Sequence, residues 1–185
     1  MSIRPVRLYG DPVLRTRAAE VTSFDDSLRA LAADMRDTMH AYRGVGLAAN
    51  QVGVLQRIVV VDVPGMEETD PPHRHTLVNP EIRERHGSEV GEEGCLSIPA
   101  IYEDVTRALT LIVDFRDEHG MPVTLSAQGY LARAIQHEVD HLDGVLFVDR
   151  LSPLKRSFLR RPLSALARGE MPEDYRPPLS AGGER

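Results

Sequence analysis

QHEVDHLDG, residues 136–144, carries two histidines four apart with an acid directly after the first. On an α-helix, residues four apart share one face, with Cβ atoms about 6 Å apart. His137 and His141 can then aim imidazole nitrogens at one ion. Glu138, about 100° further round the helix, can lie beside that ion without binding it and act on a bound water. The five-residue pattern also arises by chance among polar helix residues, so its setting decides its weight. That setting is helical: residues 128–142 carry Leu131, Ile135 and Leu142 on one side, and Gly144 ends the run. The reading makes this helix the centre of the fold.

Working outward, residues 25–42 hold Leu28, Leu31, Ala32, Met35 and Met39 at helical spacing behind two acids, which predicts an amphipathic helix. RIVVVDV (57–63) reads as a buried strand. TLVNPEI (76–82) reads as a strand broken at Pro80, and ALTLIVDF (108–115) as a third. EHGMP (118–122) turns the chain into VTL (123–125), and VLFV (145–148) reads as a last short strand. A C-terminal helix starts at Pro153 and is expected to kink or break at Pro162. The polar, proline-rich stretch 64–75 reads as a loop that tolerates variation. Strands clustered between helices, without regular βαβ alternation, predict an α+β fold. Antiparallel or mixed sheets should surround the central metal-binding helix, flanked by the N-terminal amphipathic helix and the C-terminal helix. Residues 1–168 are expected to form one domain and residues 169–185, rich in proline and charge, a flexible tail.

Composition narrows the class. The 185 residues are 42% hydrophobic and 27% charged, with no run approaching the roughly 20 apolar residues of a membrane span. The N-terminus lacks a signal-peptide core, and the single cysteine, Cys95, cannot form an internal disulfide, so a reducing cytoplasm is expected. A net charge of −6 argues against a general nucleic-acid coat and against DNA as a partner. Residues 150–168 are the exception. They hold Arg150, Lys155, Arg156, Arg160, Arg161 and Arg168 with no acid among them. Such a run is ordinarily a solvated face.

A catalytic metal site usually has three protein ligands and an open position. No histidine follows His141. Asp143 is two residues on and faces the wrong way, while Asp149 remains open as a third ligand. Upstream, EEGCLSIP (92–99) offers Cys95 behind Gly94, where the backbone can approach another group closely. A lone cysteine is more often a buried small hydrophobe. As a thiolate with two imidazoles, however, it would complete a compact site with water fourth. GVGLAANQVG (44–53) reads as a glycine-rich loop, weak evidence by itself, carrying the amide of Gln51. It lacks the lysine and hydroxyl residue of a phosphate-binding loop.

Taken together, GVGLAANQ (44–51), EGCLS (93–97) and QHEVDH (136–141) closely resemble the defining motifs of the peptide deformylases, in the family's order and without a mismatch. The likeness runs on through LDGVLFVDRLSPLK and covers roughly residues 5–156. The resemblance implies removal of the formyl group from the N-terminal formylmethionine of newly synthesised polypeptides, releasing formate. It implies Cys95, His137 and His141 as metal ligands, with ferrous iron as the ion and zinc or nickel as substitutes in purified protein. Glu138 is the implied proton carrier; the Gln51 amide and the Leu96 N–H would stabilise the oxyanion. Val45, Gly46, Leu47 and Gly94 would face the substrate. Tyr130, Arg133 and Ala134, at helical spacing before His137, should shape the methionine pocket or its mouth, with a solvated charge the equal alternative for Arg133. A C-terminal helix that docks on the ribosome is a further implication, and the basic run fits it. One departure is Ala100, where relatives often have glycine. Two other classes share parts of the pattern: a zinc endoprotease with its third ligand downstream, and a non-catalytic metal or ribosome-associated module with no need of Glu138.

Overall fold

The computed structural model describes residues 2–65, 71–173 and 175–177. Three α-helices, α1 (Asp26–Ala41), α2 (Gly129–Leu142) and α3 (Pro153–Ala167), combine with seven strands. The strands are β1 (Gly46–Ala48), β2 (Ile58–Val63), β3 (His73–His86), β4 (Glu89–Cys95), β5 (Ile98–Arg107), β6 (Thr110–Arg116) and β7 (Pro122–Gln128). A five-stranded sheet has the order β1-β2-β3-β6-β7, and β4 pairs with β5 alone. All these pairings are antiparallel, which makes the fold α+β.

β2 explains the layering. Successive side chains of a strand point to opposite faces, so an unbroken apolar run must be covered on both. Val59, Val61 and Val63 pack with Leu131, Ile135, Val139 and Leu142 of α2. Ile58 and Val60 pack with Leu28, Leu31, Met35 and Met39 of α1. α1 starts at the Asp25 N-cap, whose carboxylate accepts from the Ser27 and Leu28 N–H groups. A third core joins Ile98, Ile101 and Val105 of β5 to Leu14, Phe147, Leu151, and Leu163 and Leu166 of α3.

Four expectations need correction. VLFV is not a strand: Phe147–Arg150 form a 3₁₀ turn, with the Asp149 carboxylate accepting from the Leu146 N–H at 2.8 Å. Leu146, Phe147 and Val148 are all buried in the third core, and a short run buried all round looks alike in either conformation. Pro80 does not break its strand. β3 passes it through a register shift at Asn79 (φ 52), whose amide exchanges two 2.8 Å hydrogen bonds with the Val21 backbone. α3 likewise continues through Pro162. The proline is exposed, and Leu163 and Leu166 hold the far turn to the third core. The glycine-rich stretch is not a plain loop but contributes β1 and a 3₁₀ turn at Ala49–Val52. Of the presumed loop 64–75, residues 66–70 lie outside the described residues and His73 already begins β3. Of the presumed tail, Asp174 and residues 178–185 lie outside them too.

Candidate metal centre

α2 is the most enclosed helix: of its last twelve residues only Asp140 escapes full burial. His137 and His141 therefore meet inside the protein, ring centroids 5.0 Å apart. Cys95 ends β4 and pairs with Ile98, so only Leu96 and Ser97 turn the chain into β5. This tight hairpin presents the sulfur to α2, with Cys95 Sγ 3.2 Å from His141 Nε2. One donor atom from each of Cys95, His137 and His141 lies within 4.8 Å of the others. The third ligand thus comes from upstream. Asp143 instead meets Arg57 at 2.7 Å, and Asp149 is taken by Arg15.

The donor chemistry fits a divalent cation. Burial, with the charges of His137 and Arg107 behind it, pushes His141 well below the ordinary histidine range, so its imidazole is neutral and free to coordinate. Burial acts the same way on His137, but hydrogen bonds to Cys95 and Glu93 outweigh it and hold His137 well above that range. His137 Nδ1 lies 3.0 Å from a Glu93 oxygen, which leaves Nε2 for the centre. The buried Glu138 Oε2 has no hydrogen-bond partner among the described residues. Burial pushes the Glu138 carboxyl up to about 7.

Glu93 is the residue that spacing did not single out for a role of its own. Its carboxylate takes a two-pronged contact from Arg107 (2.9 and 3.0 Å) and a third from Arg133 (2.9 Å) as well as His137. Burial raises its pKa, yet these partners win and bring it to about 2. A sequence signal existed, since Glu93 lies two residues before Cys95 on a strand and so shares its face. Arg107 had no local signal. Arg133 is not a solvated charge: only 6% exposed, it also donates to the carbonyls of Glu89, Gly91 and Val105, fastening the β4–β5 hairpin to α2. Asp140, facing away, joins Arg107 to Arg150.

The glycine-rich stretch closes the site from the other side. Gly46 lies so close to α2 that a Cβ there would sit 2.5 Å from Glu138 Oε1. Gln51 Oε1 accepts from the Ala48 N–H at 2.8 Å, and its Nε2 donates to Ser97 Oγ at 3.1 Å and approaches Cys95 Sγ at 3.5 Å. The Asn50 amide donates to the His141 carbonyl, locking the stretch to α2. A cleft of about 950 Å³ opens over these groups. Val45, Gly46, Gln51, Gly94, Cys95 and Leu96 line it, as do Tyr130, Arg133, Ala134, His137 and Glu138. His141 lies beneath it. Leu47 does not reach the cleft, being buried in the core against α1. Pro172, Tyr175 and Arg176 also line it, and no motif pointed to them.

Comparison with known proteins agrees with this geometry. The polypeptide deformylase family model matches residues 3–157. A peptide deformylase of Xylella fastidiosa is 52% identical over 168 residues, covering 88% of this chain and 95% of the relative. One of Alkalilimnicola ehrlichii is 49% identical, covering 91% and 93%. Among solved structures, a peptide deformylase from Legionella pneumophila superimposes with a TM-score of 0.81 at 45% identity, over 91% of this chain and 97% of that one. The Ehrlichia chaffeensis peptide deformylase in complex with actinonin gives 0.83 at 37% identity, over 92% and 99%. With the match spanning most of its length and the cysteine–histidine–histidine centre at its middle, this chain belongs to the polypeptide deformylase family.

Proposed function

We propose that the chain is a working peptide deformylase, a metal-dependent hydrolase that removes the N-formyl group from newly made polypeptides and releases formate. The observation that carries this reading is the convergence of Cys95, His137, Glu138 and Gln51 on one cleft, with His141 grouped with Cys95 and His137 beneath it. Cys95, His137 and His141 would hold the cation, which when bound lowers the pKa of a water and polarises the formyl carbonyl. Glu138, with a pKa near 7, can take a proton from the attacking water and return it to the leaving amine. Gln51 holds its amide through Ala48 and Ser97, so its loose contact to Cys95 is the one a substrate oxygen can replace. With the Leu96 N–H it forms the proposed oxyanion site. Val45, Gly46, Gly94, Tyr130, Arg133 and Ala134 form the proposed substrate walls. The formyl hydrogen, smaller than any carbonyl substituent of a peptide bond, lets a narrow site refuse ordinary peptides.

Ferrous iron is the proposed ion, on the strength of the family resemblance, with zinc or nickel able to replace it in purified protein. One thiolate and two imidazoles by themselves suit zinc. Anaerobic preparations should contain iron by elemental analysis, and air should oxidise the metal and then Cys95. Zinc alone in such preparations would refute the iron assignment.

The endoprotease alternative requires a downstream ligand, and the two acids nearest the helix, Asp143 and Asp149, are held by arginines. Formate release from formyl-Met-Ala-Ser, measured beside casein digestion, separates the two. Casein cleavage without formate would overturn the deformylase reading.

A cytoplasmic site of action is proposed; no helix among the described residues is long and apolar enough to cross a membrane. Ribosome docking through α3 is proposed as well. Lys155 and Arg156 are engaged by Glu103 and Asp149, but Arg160 and Arg161 stay unpaired among the described residues beside the exposed Phe158. Removing α3 would strip Leu163 and Leu166 from the core, so the cleaner variant is Arg160→Ser with Arg161→Ser. It should weaken salt-sensitive co-sedimentation with ribosomes, and undiminished co-sedimentation rejects the docking.

A further inference from the structure

The cleft is walled on one side by chain that the family model does not reach. The match stops at residue 157, yet Pro172, Tyr175 and Arg176 line the same opening as Cys95 and Glu138. Met171 packs on the third core, and the Tyr175 N–H donates to the Pro172 carbonyl at 3.0 Å, which turns the chain at the opening. Arg176 donates to the carbonyls of Glu173 at 2.6 Å and Tyr175 at 2.9 Å, so the backbone holds its guanidinium. Arg43, just past α1, lines the cleft as well and adopts a left-handed φ of 57. Tyr42 and Tyr175, the sequence neighbours of the two arginines, line the same cleft.

Charge separates this mouth from the floor. Arg133 and Glu93 satisfy each other at 2.9 Å, and Glu138 belongs to the reacting centre. That leaves Arg43 and Arg176, neither with an ion-pair partner among the described residues, against the single exposed acid Glu92. On a chain of net charge −6, two guanidiniums without ion-pair partners among the described residues would attract an anionic group to the mouth.

We propose that Arg43 and Arg176 form a subsite for an aspartate or glutamate side chain of the nascent polypeptide, downstream of its formylmethionine. The assignment rests on the deformylase reading. With the formyl group at Glu138, an extended substrate advances about 3.3 Å per residue, so the residues after methionine leave through the mouth. A guanidinium fork matches a carboxylate in shape and charge, and chain outside the family model can set a preference particular to this enzyme.

The test compares kcat/KM for formyl-Met-Ala-Ser with that for peptides carrying aspartate or glutamate in place of alanine or serine. The wild-type enzyme should favour an acidic peptide, and the preference should shrink as salt rises. Arg176→Gln or Arg43→Gln should each lower the acidic-to-neutral ratio roughly threefold, the scale of an exposed ion pair. Arg176→Lys should restore part of it, and Arg176→Glu should turn the preference toward lysine-containing peptides. No acidic preference in the wild type, or a ratio unchanged in both glutamine variants, overturns the subsite. Calorimetric binding of the unformylated peptides reads the same preference without turnover. Acid-selective binding lost in Arg176→Gln, with no formate from any peptide, would keep the subsite and refute the deformylase reading instead.

Discussion

At the scale of the residue, the site is an argument about contact. Glu138 is pressed against the Gly46 backbone, with no room for a methyl group. Gly46→Ala must therefore displace the carboxylate while leaving Cys95, His137 and His141 in place. Turnover should fall by about 10²-fold, the scale of an ångström's misplacement, with metal content unchanged by elemental analysis. Near-normal kcat in that variant would mean that the position of Glu138 is unimportant. Glu138→Ala removes the proposed proton carrier and should cost on the order of 10²–10⁴-fold in formate release, again with metal retained. More than a tenth of wild-type turnover would remove Glu138 from its proposed role.

At the scale of the element, the β4–β5 hairpin shows how far the sequence could be read. α2 announced itself by an apolar stripe of helical period, and β2 by an unbroken β-branched run. β4 reads EVGEEGC, and with no apolar alternation it carried no strand signal. Glu93 is what braces the site: it meets Arg107 when the hairpin pairs, and Arg133 and His137 only once hairpin and helix are docked. The ligands were legible as residue types in a pattern, whereas their support depends on long-range pairing that no local period encodes. Ala100 of β5 marks the same limit: it holds a left-handed φ of 59, a conformation glycine adopts without strain. Ala100→Gly should stabilise the protein by about 0.5–1 kcal/mol, the relief of strain exceeding the entropy glycine adds to the unfolded chain. Thermal unfolding should rise by roughly 2 °C, and a fall would show that the strain is not felt there.

At the scale of the whole molecule, Glu93 ties stability to pH. Its folded pKa, about 2, lies below the ordinary 4.5, so its contribution is full above pH 4.5 and fades as the pH falls toward 2. Glu93→Gln in metal-free protein should lose about 3 kcal/mol at neutral pH and show a flatter decline in that acid window. Parallel acid-unfolding curves for the two proteins would contradict this. The metal centre itself lies where the three cores meet: α2 brings the histidines from the first, the stretch ending in Gln51 borders the second, and Cys95 packs on the third. A cation bound there would behave as a rivet through three plates. Withdrawn, it should let the plates part in order of their seams. In amide hydrogen exchange the two-stranded β4–β5 hairpin should open well before the five-stranded sheet, whereas the loaded enzyme should open as one body. The same ion that makes the water reactive would then set whether the enzyme comes apart in pieces or all at once, and depriving a cell of the metal would expose the hairpin to proteases before the rest of the chain.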